Sequence, residues 1–170
     1  SFAEPAGDGK LLQEFEQLKN RLEMEGLFHS HLKKPLPAFV NKVGIISSAT
    51  GAALQDILQV LQRRAPTIEV IVHASAVQGD DALAQLMTSL ESFNKQGNVD
   101  CIIIARGGGS LEDLQAFNQE ALARQIFACE TPLISAIGHE TDFSITDFVA
   151  DVRAATPSVA AELISPDQEQ

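Results

Sequence analysis

The sequence has no tryptophan, no tyrosine and only two cysteines among its 170 residues. The cysteines, Cys101 and Cys129, show neither a CxxC pair nor the spacing of zinc ligands, so we expect two buried, reduced thiols. No apolar run approaches the roughly 18 residues that a membrane helix needs, and no basic, signal-like segment opens the chain. These absences predict a protein without membrane contact that resides in the cytoplasm.

Basic residues are also few. The chain has 12 lysines and arginines against 23 acidic residues, a net charge of −11 at neutral pH. This balance argues against a protein that grips nucleic acid through a broad basic face, so any such contact must be local. Hydrophobic residues make up 45% of the sequence and aromatic residues 5%, which predicts one domain of ordinary size with an aliphatic core.

Short apolar runs rich in β-branched residues alternate with amphipathic stretches at helical spacing. They predict strands at 43–48, 68–73, 100–105 and 133–137, and helices at 10–25, 52–64, 80–96, 111–128, 143–149 and 159–164. In the helix at 111–128, we expect the core to be contacted by Leu114, Phe117, Leu122, Ile126 and Phe127. Strands that alternate with helices imply βαβ units. The predicted fold class is therefore α/β, a doubly wound, Rossmann-like and mainly parallel sheet with flanking helices.

The stretch at 99–113 places a charged residue, three glycines and a helix start directly after an apolar strand. Arg106 ends the strand, Gly107, Gly108 and Gly109 follow, and Ser110 begins a capping-box pattern. Free N–H groups at a helix N-terminus and one arginine suit a phosphate or carboxylate. The alternative is a tight strand-to-helix turn with a solvated arginine.

Familiar glycine and serine motifs do not account for this stretch. A dinucleotide fingerprint starting at Gly107 needs a glycine at position 112, which is Glu112, and no GxxxxGK[ST] occurs in the chain. A GxSxG nucleophile elbow is absent as well. The stretch is therefore not a typical NAD, ATP or serine-hydrolase loop.

The carboxyl ends of parallel strands gather at one edge of a sheet, where α/β domains bind their ligands. This rule brings together segments 47–56, 106–113 and 138–142, so that Asp56, Arg106, His139 and Asp142 can converge. Asp56 lies beside the apolar stripe of its predicted helix. That position suits either a border residue in solvent or a functional group facing a cleft.

Several stretches resemble the large subunit of exodeoxyribonuclease VII. They are RGGGSLEDLQAFNQEALARQIF, PLISAIGHETDFSITDFVADVRAATPSVAAE and, upstream, GLFHSHLKKPLP and TGAALQDIL. The resemblance implies a bacterial exonuclease that hydrolyses single-stranded DNA to 5′-phosphorylated oligonucleotides. It implies catalytic roles for Asp56, Arg106, His139 and Asp142. The glycine stretch, Gly107, Gly108, Gly109 and Ser110, would contact phosphate or DNA.

The same resemblance implies a larger protein. In that family an OB-fold for single-stranded DNA precedes this domain, and long helices that bind the small subunit follow it. We therefore expect a linker remnant at 1–9, the α/β nuclease domain at 10–164 and the start of the helical region at 165–170. The small subunit is an expected partner, through helices that the chain does not contain.

Side-chain chemistry leaves the mechanism open. His139 can serve as general base or acid, oriented by Asp142 or Asp56, or the two carboxylates can hold Mg²⁺. In both cases Arg106 and the amides of 108–110 would bind the phosphate. The roles of Asp147, Asp151 and Arg153 stay open between structure and DNA contact.

Two other classes of function compete with the nuclease. The glycine stretch alone permits a module that binds a nucleotide or small anion without chemistry. An assembly scaffold, in which the first and last helices matter most, is the other. Neither explains why two aspartates, an arginine and a histidine should converge.

Overall fold

Five parallel strands form one sheet in the computed structural model, which describes residues 6–107, 114–137 and 143–166. In chain order the strands are β1 (Lys42–Ser47), β2 (Glu69–Ala74), β3 (Cys101–Ala105), β4 (Leu133–Ala136) and β5 (Val152–Arg153). Their order across the sheet is β2-β1-β3-β4-β5, and every neighbouring pair is parallel. The predicted α/β class is confirmed.

Helices cover both faces of this sheet. They are α1 (Ala6–Met24), α2 (Ala52–Arg64), α3 (Ala82–Gln96), α4 (Glu120–Phe127), α5 (Ile145–Val149) and α6 (Pro157–Leu163). The core on one face is shared with α2 and α6, and the core on the other with α1, α3, α4 and α5. The sheet is therefore the middle layer of three.

The central strand β3 shows why the sequence folds this way. All five of its residues are buried, and successive side chains point to opposite faces. Ile102 and Ile104 join the core under α3 and α4, whereas Cys101, Ile103 and Ala105 join the core under α2 and α6. An unbroken apolar run is what a strand covered on both faces requires.

The prediction of one helix at 111–128 is wrong over the described part of that stretch. Residues 115–118 form a 3₁₀ turn and Gln119 is extended (φ −103°, ψ 136°), so α4 starts only at Glu120. The turn is bonded to α5 instead of continuing as a helix. The Phe117 carbonyl accepts a hydrogen bond from Thr146 Oγ1 at 2.9 Å, and Asn118 Oδ1 accepts one from the Ile145 N–H at 2.8 Å.

The later start of α4 also corrects one core residue. Leu114, Phe117, Leu122 and Ile126 are buried as predicted, but Phe127 is 42% exposed. The buried side of α4 consists of Leu122, Ala123 and Ile126. Phe127 lies one position, or about 100°, around the helix from Ile126 and faces solvent at the end of the helix.

Three smaller points complete the description of the fold. β5 was not predicted, because two residues carry no periodic pattern, yet Val152 pairs with Ile134 and Arg153 with Ser135. Cys101 and Cys129 are buried free thiols, as expected. Among the helices of the described ranges, none is long and apolar enough to cross a membrane.

Candidate active site at the carboxyl edge of the sheet

Arg106 follows β3 directly and is buried at the carboxyl edge of the sheet. Its backbone N–H donates to the Ala136 carbonyl at 3.1 Å, and the residue is only 5% exposed. On the other side of β3, Ser47 Oγ donates to the Ala105 carbonyl at 2.9 Å. The ends of β1, β3 and β4 are thus bonded to one another, and Arg106 is not the solvated arginine of the alternative interpretation.

Gly107 is exposed beside this buried arginine. Among described atoms, a Cβ added at Gly107 would meet nothing within 4 Å, and its φ is not positive. Packing of the described residues therefore does not demand glycine here. Gly108, Gly109 and Ser110 lie outside the described residues, so their predicted phosphate contacts stay predictions.

Asp56 lies in the second turn of α2, about 6 Å along the axis from the start of the helix. Its neighbours Ala53, Leu54 and Ile57 are buried, whereas Asp56 itself is exposed. The border position predicted from helical periodicity is confirmed. α2 follows the carboxyl end of β1 after four residues, and Asp56 is exposed to solvent in its second turn.

His139 and Asp142 lie outside the described residues, but the structure describes the residues on either side of them. Segments 108–113 and 138–142 leave from β3 and β4, which are neighbours in the sheet. They return to the 3₁₀ turn and to α5, which are joined by the bonds from Thr146 and Ile145. The described residues before the two segments are therefore neighbours in the sheet, and those after them are joined by hydrogen bonds.

The buried carboxylate of Asp147 holds the residues that follow segment 138–142. Ser144 is the N-cap of α5 and forms a capping box with Asp147, and both residues are buried. Asp147 Oδ2 accepts from the Ser144 N–H at 2.7 Å, and Asp147 Oδ1 accepts from Ser135 Oγ at 2.6 Å. The S-x-x-D spacing of Ser144 and Asp147 was a signal for this cap that our sequence reasoning did not use.

Asp151, whose role the sequence also left open, has a structural role. Its carboxylate accepts from the backbone N–H groups of Lys34 and Leu133, both at 2.8 Å, and pairs with Lys34 Nζ at 3.2 Å. These contacts lie at the amino end of β4, away from Arg106. Asp151 therefore joins the segment before β1 to the sheet.

A metal site receives no support from the described residues alone. Within their three ranges, no three His, Cys, Asp or Glu side chains are grouped so as to hold a metal ion. The Mg²⁺ site suggested for Asp56 and Asp142 includes a residue outside those ranges. It stays a prediction.

Known proteins with similar sequences point to one family. A sequence model of the family described as "Exonuclease VII, large subunit" matches residues 27–170. A protein of Pseudoalteromonas translucida named exodeoxyribonuclease 7 large subunit is 58% identical over 167 residues, which are 98% of this chain. Proteins with the same name from Sodalis glossinidius and Pasteurella multocida are each 58% identical over 165 residues, which are 97% of this chain.

The matched region is only part of each relative. This chain spans 38%, 36% and 37% of the lengths of these three proteins. The match nevertheless covers every described element from the end of α1 to α6 and includes all four predicted catalytic residues. The chain therefore belongs to the family of exonuclease VII large subunits.

Proposed function

We propose that this domain hydrolyses phosphodiester bonds in single-stranded DNA and releases 5′-phosphorylated oligonucleotides. The names of its relatives support an exonuclease. The single observation that carries the proposal is the burial of Arg106 at the carboxyl edge of the sheet, beside the exposed Gly107. This is the edge at which α/β domains bind ligands, and a guanidinium is the side chain that best fits a phosphate.

Arg106 neutralises the charge that grows on the non-bridging oxygens during hydrolysis. A guanidinium held away from water interacts with an anion more strongly than one in solvent. Its backbone bond to Ala136 fixes the position from which the side chain reaches the phosphate. A preorganised cation of this kind stabilises a transition state without moving during the reaction.

His139 transfers the proton, as base toward the attacking water or as acid toward the leaving oxygen. Asp142 or Asp56 orients its imidazole. The hydrogen bonds that hold the ends of segment 138–142 support this role, because a catalytic group needs a fixed position. If a divalent ion takes part, Asp56 and Asp142 would hold it, and it would supply charge neutralisation and lower the pKa of a water molecule.

We also propose the partners that the family suggests. With a net charge of −11, this domain has little electrostatic attraction for DNA of its own. An OB-fold that tracks the phosphate backbone would add electrostatic affinity to the contacts that this domain makes itself. Long helices outside this chain would bind the small subunit.

Cleavage of a labelled single-stranded oligonucleotide tests the proposal, with and without a chelator. We expect short 5′-phosphorylated products from the parent chain. His139→Ala and Arg106→Lys should each lower the cleavage rate by about 10²-fold or more and leave the thermal melt within a few degrees. His29→Ala is the matched control, because His29 is an exposed histidine in the segment before β1.

The outcomes separate the competing functions. DNA that is bound but left intact by the parent chain would favour the anion-binding module over the nuclease. Full cleavage by the His139→Ala variant would remove His139 from the mechanism. Loss of products in the presence of the chelator would support the Mg²⁺ version with Asp56 and Asp142.

A further inference from the structure

Three phenylalanines, out of nine in the chain, meet beside segment 138–142. The ring centroids of Phe143 and Phe148 lie 5.5 Å apart with an interplanar angle of 27°. Phe148 in turn contacts Phe28, with the centroids 5.3 Å apart. The three rings form a column that runs from the residue after segment 138–142 to the segment before β1.

Cations surround this column. The Arg153 Cζ atom lies 3.7 Å from the centroid of the Phe143 ring, and Lys19 Nζ lies 5.0 Å from that of Phe148. Lys33 Nζ donates to the carbonyls of Phe148 and Ala150 at 2.7 and 2.6 Å, at the end of α5. Three of the 12 basic residues thus collect at one place in an acidic chain.

Phe143 is held firmly but is not buried. It is 41% exposed, whereas the next residue, Ser144, is fully buried as the N-cap of α5. The guanidinium over its ring belongs to Arg153, which pairs with Ser135 in the sheet and lies 3.9 Å from Asp147 Oδ1. The guanidinium covers one face of the ring, so a ligand would stack on the surface that the Phe143–Arg153 pair leaves exposed, and the pair is already held in place and would lose little entropy.

Nucleic-acid chemistry matches these features. Proteins that bind single strands use aromatic rings on which bases stack, together with nearby cations that interact with ring and backbone. In a duplex the base faces are covered by their neighbours, so a stacking surface selects unpaired bases. A core-packing role alone would leave no reason for the exposed area of Phe143.

We propose that Phe143 and Arg153 form a stacking platform for one nucleobase of the DNA strand, beside the scissile phosphate. This inference rests on the proposed nuclease function and adds the residues that select single strands. Lys19 and Lys33 contribute positive charge near the strand. Because every base has a π-face, the platform accepts all four bases.

Binding in the absence of cleavage tests the platform. In a His139→Ala background, the affinity for a fluorescent single-stranded oligonucleotide is measured by anisotropy. Phe143→Ala should weaken binding about 5- to 150-fold, the range expected for the loss of one stacked base. Phe143→Trp should retain the affinity, whereas Phe143→Leu should lose it despite similar hydrophobicity.

Phe127→Ala is the matched control. Phe127 is exposed to nearly the same extent, 42% against 41% for Phe143, but it ends α4, which runs from the 3₁₀ turn toward the amino end of β4. It should bind as the parent does. Thermal melts of all variants show whether each one folds, and Phe143→Leu serves if Phe143→Ala does not.

The possible results are distinct from those for the nuclease. Binding within twofold of the parent for Phe143→Ala and Phe143→Leu would overturn the platform, and so would an equal loss for Phe127→Ala. A parent chain that binds but does not cleave, with binding still dependent on an aromatic residue at 143, would support the platform and overturn the nuclease. A preference for duplex over single-stranded DNA would also overturn the platform.

Discussion

Ser135 Oγ donates a hydrogen bond of 2.6 Å to Asp147 Oδ1, and both side chains are buried. Ser135 lies in β4, three residues before segment 138–142, and Asp147 also binds Ser144, two residues after that segment. One carboxylate therefore joins the strand that precedes the predicted residues His139 and Asp142 to the helix that follows them. This relationship makes the first prediction.

Asp147→Asn should lower both stability and cleavage. The amide keeps the shape of the carboxylate but replaces one acceptor oxygen with a donor, which then faces Ser135 or Ser144. Leaving a buried partner unsatisfied costs about 1–3 kcal/mol of unfolding free energy. Urea denaturation measures this loss. Cleavage by the folded protein should also fall, because the ends of segment 138–142 are no longer fixed by one group.

Asp151→Asn is the matched comparison for that variant. Asp151 is another carboxylate that accepts two backbone hydrogen bonds, but it does so at the amino end of β4. We expect a similar loss of stability without a loss of cleavage per folded molecule. Equal losses of cleavage in both variants would show that Asp147 acts through global stability alone.

Thr146→Val tests the hydrogen bond between α5 and the 3₁₀ turn, the elements that follow segments 138–142 and 108–113. The change keeps the volume but removes the hydroxyl that donates to the Phe117 carbonyl at 2.9 Å. We expect a loss of about 1–3 kcal/mol and a lower rate of cleavage. Thr156→Val removes the N-cap of α6, on the other face of the sheet, at a cost of about 1 kcal/mol, and should not change cleavage. Unchanged cleavage in Thr146→Val would contradict the proposed coupling of the two segments.

Features that depend on the local sequence pattern were predicted correctly, whereas a feature that depends on hydrogen bonds between distant residues was not. The apolar run at Cys101–Ala105 was sufficient to place β3 in a sheet covered on both faces. The break before α4 depends on hydrogen bonds to residues that lie 27 and 29 positions later in the sequence. No local sequence pattern predicts such a break. The capping-box pattern at Ser110 therefore predicted a helix through residues 115–119, where the structure has a 3₁₀ turn and an extended residue.

The candidate site shows the same difference between features set by local sequence and features set by distant contacts. Strand ends and helical periodicity were enough to place Arg106 after β3 and Asp56 at the border of α2. The burial of Arg106 could not be predicted, because it depends on the packing of elements around the sheet edge. Phe143 and Arg153 are ten residues apart in sequence and meet only because β5 pairs with β4.

Gly44→Ala should destabilise the fold through a steric clash. Gly44 is buried in β1, and a Cβ there would lie 2.6 Å from Phe93 Cε1. Phe93 cannot move away freely, because it is fully buried and stacks on His73 with ring centroids 4.1 Å apart. Overpacking of this kind costs about 1–3 kcal/mol, which a urea titration measures.

A double-mutant cycle with Phe93→Leu checks the cause of that loss. The smaller side chain makes room for the added methyl group, so the two substitutions together should cost less than the sum of their separate effects. Strict additivity would show that Gly44→Ala acts on the backbone and not through Phe93.

The buried thiols predict a loss of stability at high pH. Burial, with a smaller contribution from the Asp100 carboxylate, raises the pKa of Cys101 from its ordinary value of 9.0 to about 12. The folded state thus keeps the neutral thiol, while the unfolded state releases its proton above about pH 9. The unfolding free energy should therefore fall between pH 9 and 12, by at most about 1.4 kcal/mol per pH unit for this group.

Comparison with Cys101→Ala isolates this effect. The variant should show a flatter dependence of unfolding free energy on pH over that window, measured by urea denaturation at each pH. Burial also raises the pKa of Cys129 and lowers that of Lys33, which contributes with the opposite sign, but both groups are present in both proteins and cancel in the difference. Parallel curves would show that the Cys101 thiol ionises equally in the folded and unfolded states, in conflict with its burial in β3.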